Sequence, residues 1–276
     1  MPATNGLGAT DPSVLDDVAL TIRKHVIRMV AGQGQGYLQQ GLGATEIFTV
    51  LYFDEMDLSP GVSAERDRCF LSTAHNSAVF YATLAERGLI APEAITHYCQ
   101  DGEPFEVNVS ERVGPAVEST FGSLGQGLSV ALGHALYARR HGLTFRNYVV
   151  LGDGELQEGQ TWEAVMYAAH AELDNVVCIV DRNAMQVDGD TEQVVRLDPI
   201  VGKFQAFGWH AMEVNGNSFA EMQAALREAR NQQGRPTAIV ANTRPGAGVS
   251  FLEGIKSHNI RLSRDAADAA LADLGG

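Results

Sequence analysis

Cysteine is scarce in this chain. Cys69, Cys99 and Cys178 are scattered and show no Cys-x-x-Cys spacing, which argues against a disulfide framework and a zinc site. Cys178 lies in an apolar run and reads as a core residue. Positive charge is short as well: 20 Lys and Arg stand against 34 Asp and Glu, a formal net charge of −14. There is no basic stripe of the kind a nucleic-acid binder carries. Acidity of this size speaks for a soluble, self-repelling protein and says nothing about fold. No stretch approaches the ~20 apolar residues of a membrane helix. Residues 1–13 are polar and glycine-rich, without the basic and apolar regions of a signal peptide. They read as a flexible N-terminus ahead of one domain over residues 14–276, with the cytoplasm as the expected location.

What is present is a globular composition. The 276 residues are 45% hydrophobic, enough for a sizeable core. Leu15, Val18, Ala19, Ile22, Val26, Ile27 and Val30 recur at helical spacing and predict a helix over about 13–31. Further helices are expected over 43–53, 76–87, 127–140, 161–172, 219–231 and 263–274, and short strands over 69–72, 211–214 and 237–242. Residues 99–116 show no period and read as a long loop, a length that tends to be functional. The clearest unit is a β-rich run over 148–151, a helix, and a second β-rich run over 175–180. Strand, helix and strand at this spacing form a βαβ unit with parallel strands. The expected fold is α/β, a mostly parallel sheet with helices on both faces.

Asp153 sits just past the first strand of that unit and Asn183 just past the second. If the strands are neighbours, both side chains emerge at the carboxyl edge, where open α/β sheets bind ligands. A carboxylate and an amide oxygen are hard donors suited to Mg²⁺, which shares its shell with phosphate oxygens. Gly152 and Gly154 flank Asp153, so a phosphate can approach the backbone closely. The following helix directs its N-terminus to the same edge, which favours an anion.

Gly152-Asp153-Gly154-Glu155-Leu156-Gln157-Glu158-Gly159 with Trp162-Glu163-Ala164, then Leu173-Asp174-Asn175 and Val180-Asp181-Arg182-Asn183, closely resemble the diphosphate-binding segment of transketolases, which are thiamine-diphosphate enzymes. Phe121-Gly122-Ser123-Leu124-Gly125-Gln126-Gly127-Leu128 resembles the family's TGSLGQGL helix start, with Glu118 where an acidic residue precedes it. Ser72-Thr73-Ala74-His75 resembles the KGH segment. Gly248-Val249-Ser250-Phe251-Leu252-Glu253 resembles GVSFME, followed by His258. The likeness covers roughly residues 15–260. It implies the thiamine-diphosphate fold in its diphosphate-binding form, with Mg²⁺ held by Asp153, Asn183 and the backbone carbonyl of Met185. It implies cofactor contacts from His75, Gly122, Leu124, Gly154, Glu158, Asn183 and Met185, and catalytic roles for His75, His258 and Glu158. Glu158 and Glu163 would lie in a carboxylate network between paired active sites. A complete transketolase is about twice as long, so the resemblance implies a split enzyme. The partner would carry the pyrimidine-binding domain and the activating glutamate, in an α2β2 assembly, and this chain alone would be inactive.

The departures fall around the substrate. Where the family has GHPGG, this chain has Gly36-Tyr37-Leu38-Gln39-Gln40, so Tyr37 replaces a sugar-binding histidine. A GHPE segment aligns loosely with Val107-Asn108-Val109-Ser110. The lysines of KGH and GKG are gone, and Ser257 stands where a tryptophan precedes the last histidine. A site built to hydrogen-bond hydroxyls discriminates by up to about 10⁴-fold when partners vanish, so a non-standard ketose or carrier-bound substrate is expected. Two other readings stay open: an E1 α-type chain that works with a lipoyl or acyl carrier, and a non-catalytic homologue of the cofactor domain. The histidines at 25, 97, 134, 141, 170 and 210 read as surface or packing residues.

Overall fold

A computed structural model describes residues 10–58 and 65–275. Residues 1–9 of the expected flexible N-terminus lie outside the described residues. Thr10 is already anchored: its N–H donates to Asp54 Oδ1 at 2.7 Å and its hydroxyl to the Phe53 carbonyl at 2.9 Å. Helix α1, Pro12–Gln33, starts there because Asp11 Oδ1 accepts from the Ser13 N–H and proline takes the first position. It ends at Gly34, whose φ of 72° is the left-handed turn that closes helices. All seven apolar residues that predicted this helix are buried.

The strands are β1 (Arg68–Leu71), β2 (Asn147–Gly152), β3 (Val176–Arg182), β4 (His210–Asn215) and β5 (Thr237–Asn242). They form one parallel sheet in the order β1-β2-β3-β5-β4. Nearly every residue of β2, β3 and β5 is buried, the mark of strands covered on both faces. The edge strand β4 is less buried than these three. The expected βαβ unit is present, with β2 and β3 as direct neighbours.

The helix expected over 43–53 begins earlier and is broken. Helix α2 (Leu38–Gly43) and α3 (Thr45–Val50) are followed by one π-helical turn, Leu51–Glu55. Glycine disfavours a helix interior, but packing overrides that cost here. A Cβ on Gly43 would stand 2.9 Å from the Arg244 carbonyl, and one on Gly41 3.1 Å from Val26 Cγ1. Helices α4 (Ser77–Glu86), α5 (Gln126–His141) and α6 (Gly159–His170) match their predicted places. Helix α7 (Ile200–Ala206) is one the sequence pattern did not predict, α8 spans Phe219–Asn231, and α9, Arg264–Asp273, closes the chain. Two-residue strands Gln35–Gly36 and Ile260–Arg261 pair antiparallel, tying the Tyr37 segment to the His258 segment. No helix among the described residues is long and apolar enough to cross a membrane.

Candidate functional site

A cavity of about 300 Å³ opens at the carboxyl edge of β2 and β3. The register opposes Gly152 to Asp181, and the Asp153 N–H donates to the Asp181 carbonyl at 3.2 Å. Asp153 is only 1% exposed. Its Oδ1 accepts from the Gly154 N–H at 3.0 Å, and Oδ2 from the Ala184 N–H at 2.9 Å and the Thr191 hydroxyl at 3.1 Å. The turn that delivers Ala184 is left-handed, with φ 58°, a conformation that a non-glycine residue holds only where its surroundings enforce it.

Asn183 is oriented by both ends of its amide. Its Nδ2 donates to Asp181 Oδ2 at 3.2 Å, while Oδ1 accepts from the Met185 N–H at 3.0 Å. The Met185 carbonyl lies beside Gly154, 3.4 Å from where a Cβ would be. That Cβ would also stand 2.8 Å from Gln186 Cβ, so only glycine keeps this approach open. The site therefore offers a carboxylate, an amide oxygen and a backbone carbonyl, a hard-oxygen set suited to Mg²⁺. Among the described residues no group of three His, Cys, Asp or Glu could hold a metal, so a cation here depends on this mixed set.

The charge on this floor is uncomfortable without a cation. Burial, and then the neighbouring Asp181 carboxylate, push Asp153 up to about 7. Burial pushes Asp181 up to about 6, against the pull of its hydrogen bonds from the Thr243 hydroxyl and Asn183. A cation held by Asp153, Asn183 and the Met185 carbonyl would favour the ionised form of Asp153.

Glu155 is the residue that sequence reasoning missed. It is 1% exposed and joins three segments. One oxygen accepts from the Ser72 hydroxyl and from the Gly125 N–H, the latter at 2.7 Å; the other accepts from the Gly152 N–H at 3.2 Å. The end of β1, the glycine turn before α5 and the end of β2 are thus fixed on one carboxylate. Burial raises it to about 7 in spite of these bonds. Its signal was Glu directly after a glycine-rich strand end, easily passed over because Glu is seldom buried. The same contact requires Gly127, where a Cβ would lie 2.5 Å from the Ser72 side chain.

Of the residues singled out from sequence, His75, Leu124, Asp153, Gly154, Glu158, Asn183, Met185 and His258 all line this one cavity. Gly122 does not: it is exposed in the loop ahead of α5, 3.9 Å from Asn108 Nδ2 if given a Cβ. Glu158 stands exposed at the rim, and Glu163 is exposed on α6. The expected loop over 99–116 is docked beside His75. Val109 N–H donates to the Ala74 carbonyl at 3.1 Å, and the Ser77 hydroxyl to the Val107 carbonyl at 2.8 Å. Asn108, between these anchors, is exposed.

His75 and His258 both line the cavity and lie in ring contact, tilted, with centroids 5.2 Å apart. Tyr37 contacts both, tilted on His75 at 4.6 Å and edge-on to His258 at 5.3 Å. Burial, and then His258, hold His75 down at about 4, and burial also lowers His258. At physiological pH, then, His75 is neutral, with one ring nitrogen able to donate and the other to accept.

A polar cavity at the carboxyl edge of a parallel α/β sheet lies where open α/β folds bind their ligands. The chain belongs to the transketolase family: residues 15–275 match the family described as transketolase, thiamine diphosphate binding domain. It is similar to the 6-deoxy-6-sulfo-D-fructose transketolase subunit SqwG of Clostridium sp. (strain MSTE9), 36% identical over 263 residues, covering 94% of this chain and 96% of that one. It is similar to one of the subunits of apulose-4-phosphate transketolase from Actinobacillus succinogenes, 34% identical over 264 residues, covering 94% and 95%. Human transketolase is 32% identical over 269 residues, but the match takes in only 42% of that protein. Among solved structures, transketolase from Leishmania mexicana superimposes with a TM-score of 0.87 at 29% identity, over 98% of this chain and 42% of that one. The chain thus spans about two fifths of the length of that solved transketolase.

Proposed function

We propose that this chain is the diphosphate-binding subunit of a split transketolase, moving a two-carbon ketol unit from a ketose donor to an acceptor. The observation that carries it is the coverage: the match takes in 96% and 95% of two proteins named as transketolase subunits, but only 42% of the human enzyme. The convergence of Asp153, Asn183 and Met185 on one cavity supports the site. In this reading the described region belongs to one domain over residues 14–276, ahead of a flexible N-terminus, and its partner carries the pyrimidine-binding domain in an α2β2 assembly. Glu158 and Glu163, both exposed, would face that partner. Three free thiols, Cys69, Cys99 and Cys178, suit a reducing cytoplasm.

Asp153, Asn183 and the Met185 carbonyl would hold Mg²⁺, and Gly154 leaves room for diphosphate oxygens. Leu124 and His75 would contact the cofactor. Thiamine diphosphate supplies a thiazolium carbon that stabilises carbanion character. The chain's own residues position and exchange protons: His75, neutral and held between Tyr37 and His258, can donate to an oxygen or accept from a hydroxyl. Glu158 at the rim completes the catalytic set.

The substrate in this reading departs from the ordinary ketose phosphates. The support is twofold. Tyr37 packs on both histidines, and two relatives carry names that specify a sulfonated deoxyfructose and apulose 4-phosphate. The test is to purify the chain with its partner and follow ketose consumption with and without thiamine diphosphate and Mg²⁺. Consumption should require both. Transfer that proceeds without the cofactor would remove the transketolase reading, and rapid turnover of xylulose 5-phosphate would remove the unusual substrate.

A further inference from the structure

Two segments of the cavity wall lie far apart in the chain and are held very differently. The segment that carries His258 is fixed at both ends by buried amides. Gln39 Nε2 donates to the Ile255 carbonyl at 2.9 Å, and Gln40 Nε2 to the His258 carbonyl at 2.8 Å. The segment that carries Met185 is a hairpin of two-residue strands, Met185–Gln186 and Gly189–Asp190, with Met185 opposite Asp190. Its tip residues Val187 and Asp188 are exposed. A two-stranded hairpin has little stability of its own, so the place of the Met185 carbonyl depends on what holds the hairpin from outside.

Lys256 joins the two segments. Its Nζ lies 2.6 Å from Asp190 Oδ2 in an ion pair. Among the described residues no other hydrogen bond or ion pair links residues 184–195 to residues 250–261. Asp190 is well placed to pass this tie on to the oxygens of the cation site. It stands opposite Met185 in the ladder. Its Oδ1 accepts from the Glu192 N–H at 3.0 Å and so starts the short helix Thr191–Val194. Thr191, the next residue, donates its hydroxyl to Asp153 Oδ2 at 3.1 Å. Lys256 itself does not line the cavity.

We propose that Lys256 is a positioning residue for the cation site: through Asp190 it ties the Met185 hairpin to the His258 segment and couples cation binding to the setting of His258. This deepens the transketolase reading and rests on it for the cation and its diphosphate. The firmly held His258 segment serves as the anchor, and the hairpin is the part that is placed. Such coupling works in both directions, so a cation that fixes the hairpin also fixes the His258 ring.

The test uses the complete two-chain complex with thiamine diphosphate, and reads bound Mn²⁺ by electron paramagnetic resonance, independent of turnover. The variants are Lys256→Met, which keeps the length and removes the charge, and Asp190→Asn, which keeps a helix-capping oxygen. The pair is partly exposed, 45% at Lys256 and 28% at Asp190, so each variant should weaken Mn²⁺ binding by about 2- to 5-fold. The double variant should lose no more than either single one, and Lys256→Arg should bind as the parent does. In a second measurement Mg²⁺ replaces Mn²⁺, and the His258 ring resonances are followed by NMR. Their response to Mg²⁺ should be smaller in Lys256→Met than in the parent, and retained in Lys256→Arg. Unchanged Mn²⁺ affinity in both single variants, additive losses in the double variant, equal losses in Lys256→Arg and Lys256→Met, or a His258 response in Lys256→Met identical to the parent's would each overturn the assignment. No Mn²⁺ binding by the parent complex would overturn it together with the transketolase reading. Mn²⁺ binding that depends on the ion pair, without ketol transfer, would sink that reading alone and leave Lys256 in its role.

Discussion

Asp153→Asn should separate stability from function. The parent carboxyl is 1% exposed and is raised from 3.8 to about 7 by burial and by Asp181. Between those values the folded chain holds a proton that the unfolded chain has lost. Stability therefore falls as pH rises from about 4 to about 7 and stays low above. A shift of about three units corresponds to about 4 kcal/mol at pH 8. The asparagine removes that penalty but brings an NH₂ against one of two buried donors, the Gly154 or Ala184 N–H, at a cost of about 1–3 kcal/mol. The net is a gain of about 1–3 kcal/mol at pH 8, or about 2–5 °C in Tm for a chain of this size. At pH 5 the gain disappears, because the folded carboxyl is protonated there and the penalty has shrunk to about the cost of the misplaced amide. Thermal unfolding of the metal-free chain at pH 5, 6.5 and 8 measures this. Adding Mg²⁺ and thiamine diphosphate to the assembled complex should then stabilise the parent and not the variant. A variant that keeps the parent's slope with pH, or that still responds to Mg²⁺ and the cofactor, would refute the reasoning.

Other perturbations test separate parts of the site. Gly154→Ala places a Cβ 2.8 Å from Gln186 Cβ; it should cost about 1–3 kcal/mol of stability and lower thiamine diphosphate affinity by calorimetry. Glu155→Ala strands the Ser72 hydroxyl and the Gly125 and Gly152 N–H groups. It should destabilise by about 2–5 kcal/mol in urea unfolding, whereas Glu155→Gln should recover part of the loss. Tyr37→Ala removes the ring packed on His75, so His75 should titrate higher than in the parent by NMR; an unchanged His75 would mean that the ring does not bury it. Mn²⁺ should substitute for Mg²⁺ in supporting turnover and a chelator should abolish it, as a hard-oxygen site implies.

The parts of the fold that local rules govern were legible. Helix α8 and strand β5 have the bounds read from sequence. For α8 the reason is local chemistry: Ser218 Oγ accepts from the Glu221 N–H while Glu221 accepts from the Asn215 N–H, a helix start written in a few neighbouring residues. The Asp153 and Asn183 positions were legible because a βαβ unit leaves little choice about where its strand ends point. What failed depended on distant partners. Helix α2 tolerates Gly41 and Gly43 only because α1 and the Arg244 backbone need the space. Helix α7 has only seven residues, shorter than the window over which a helical period can be read. Glu155 is buried by Ser72 and Gly125, 83 and 30 residues away. The cluster of Tyr37, His75 and His258 is assembled by the pairing of Gly36 with Ile260, which no local pattern announces.

A crystal structure of the two-chain complex grown with thiamine diphosphate and Mn²⁺ bears on all of this at once, since manganese can be located by its anomalous scattering. One cation should appear bound by an Asp153 carboxylate oxygen, Asn183 Oδ1 and the Met185 carbonyl, with the remaining positions taken by diphosphate oxygens and water. A cation held by other residues, or a diphosphate seated away from Gly154, would contradict the site described for this chain.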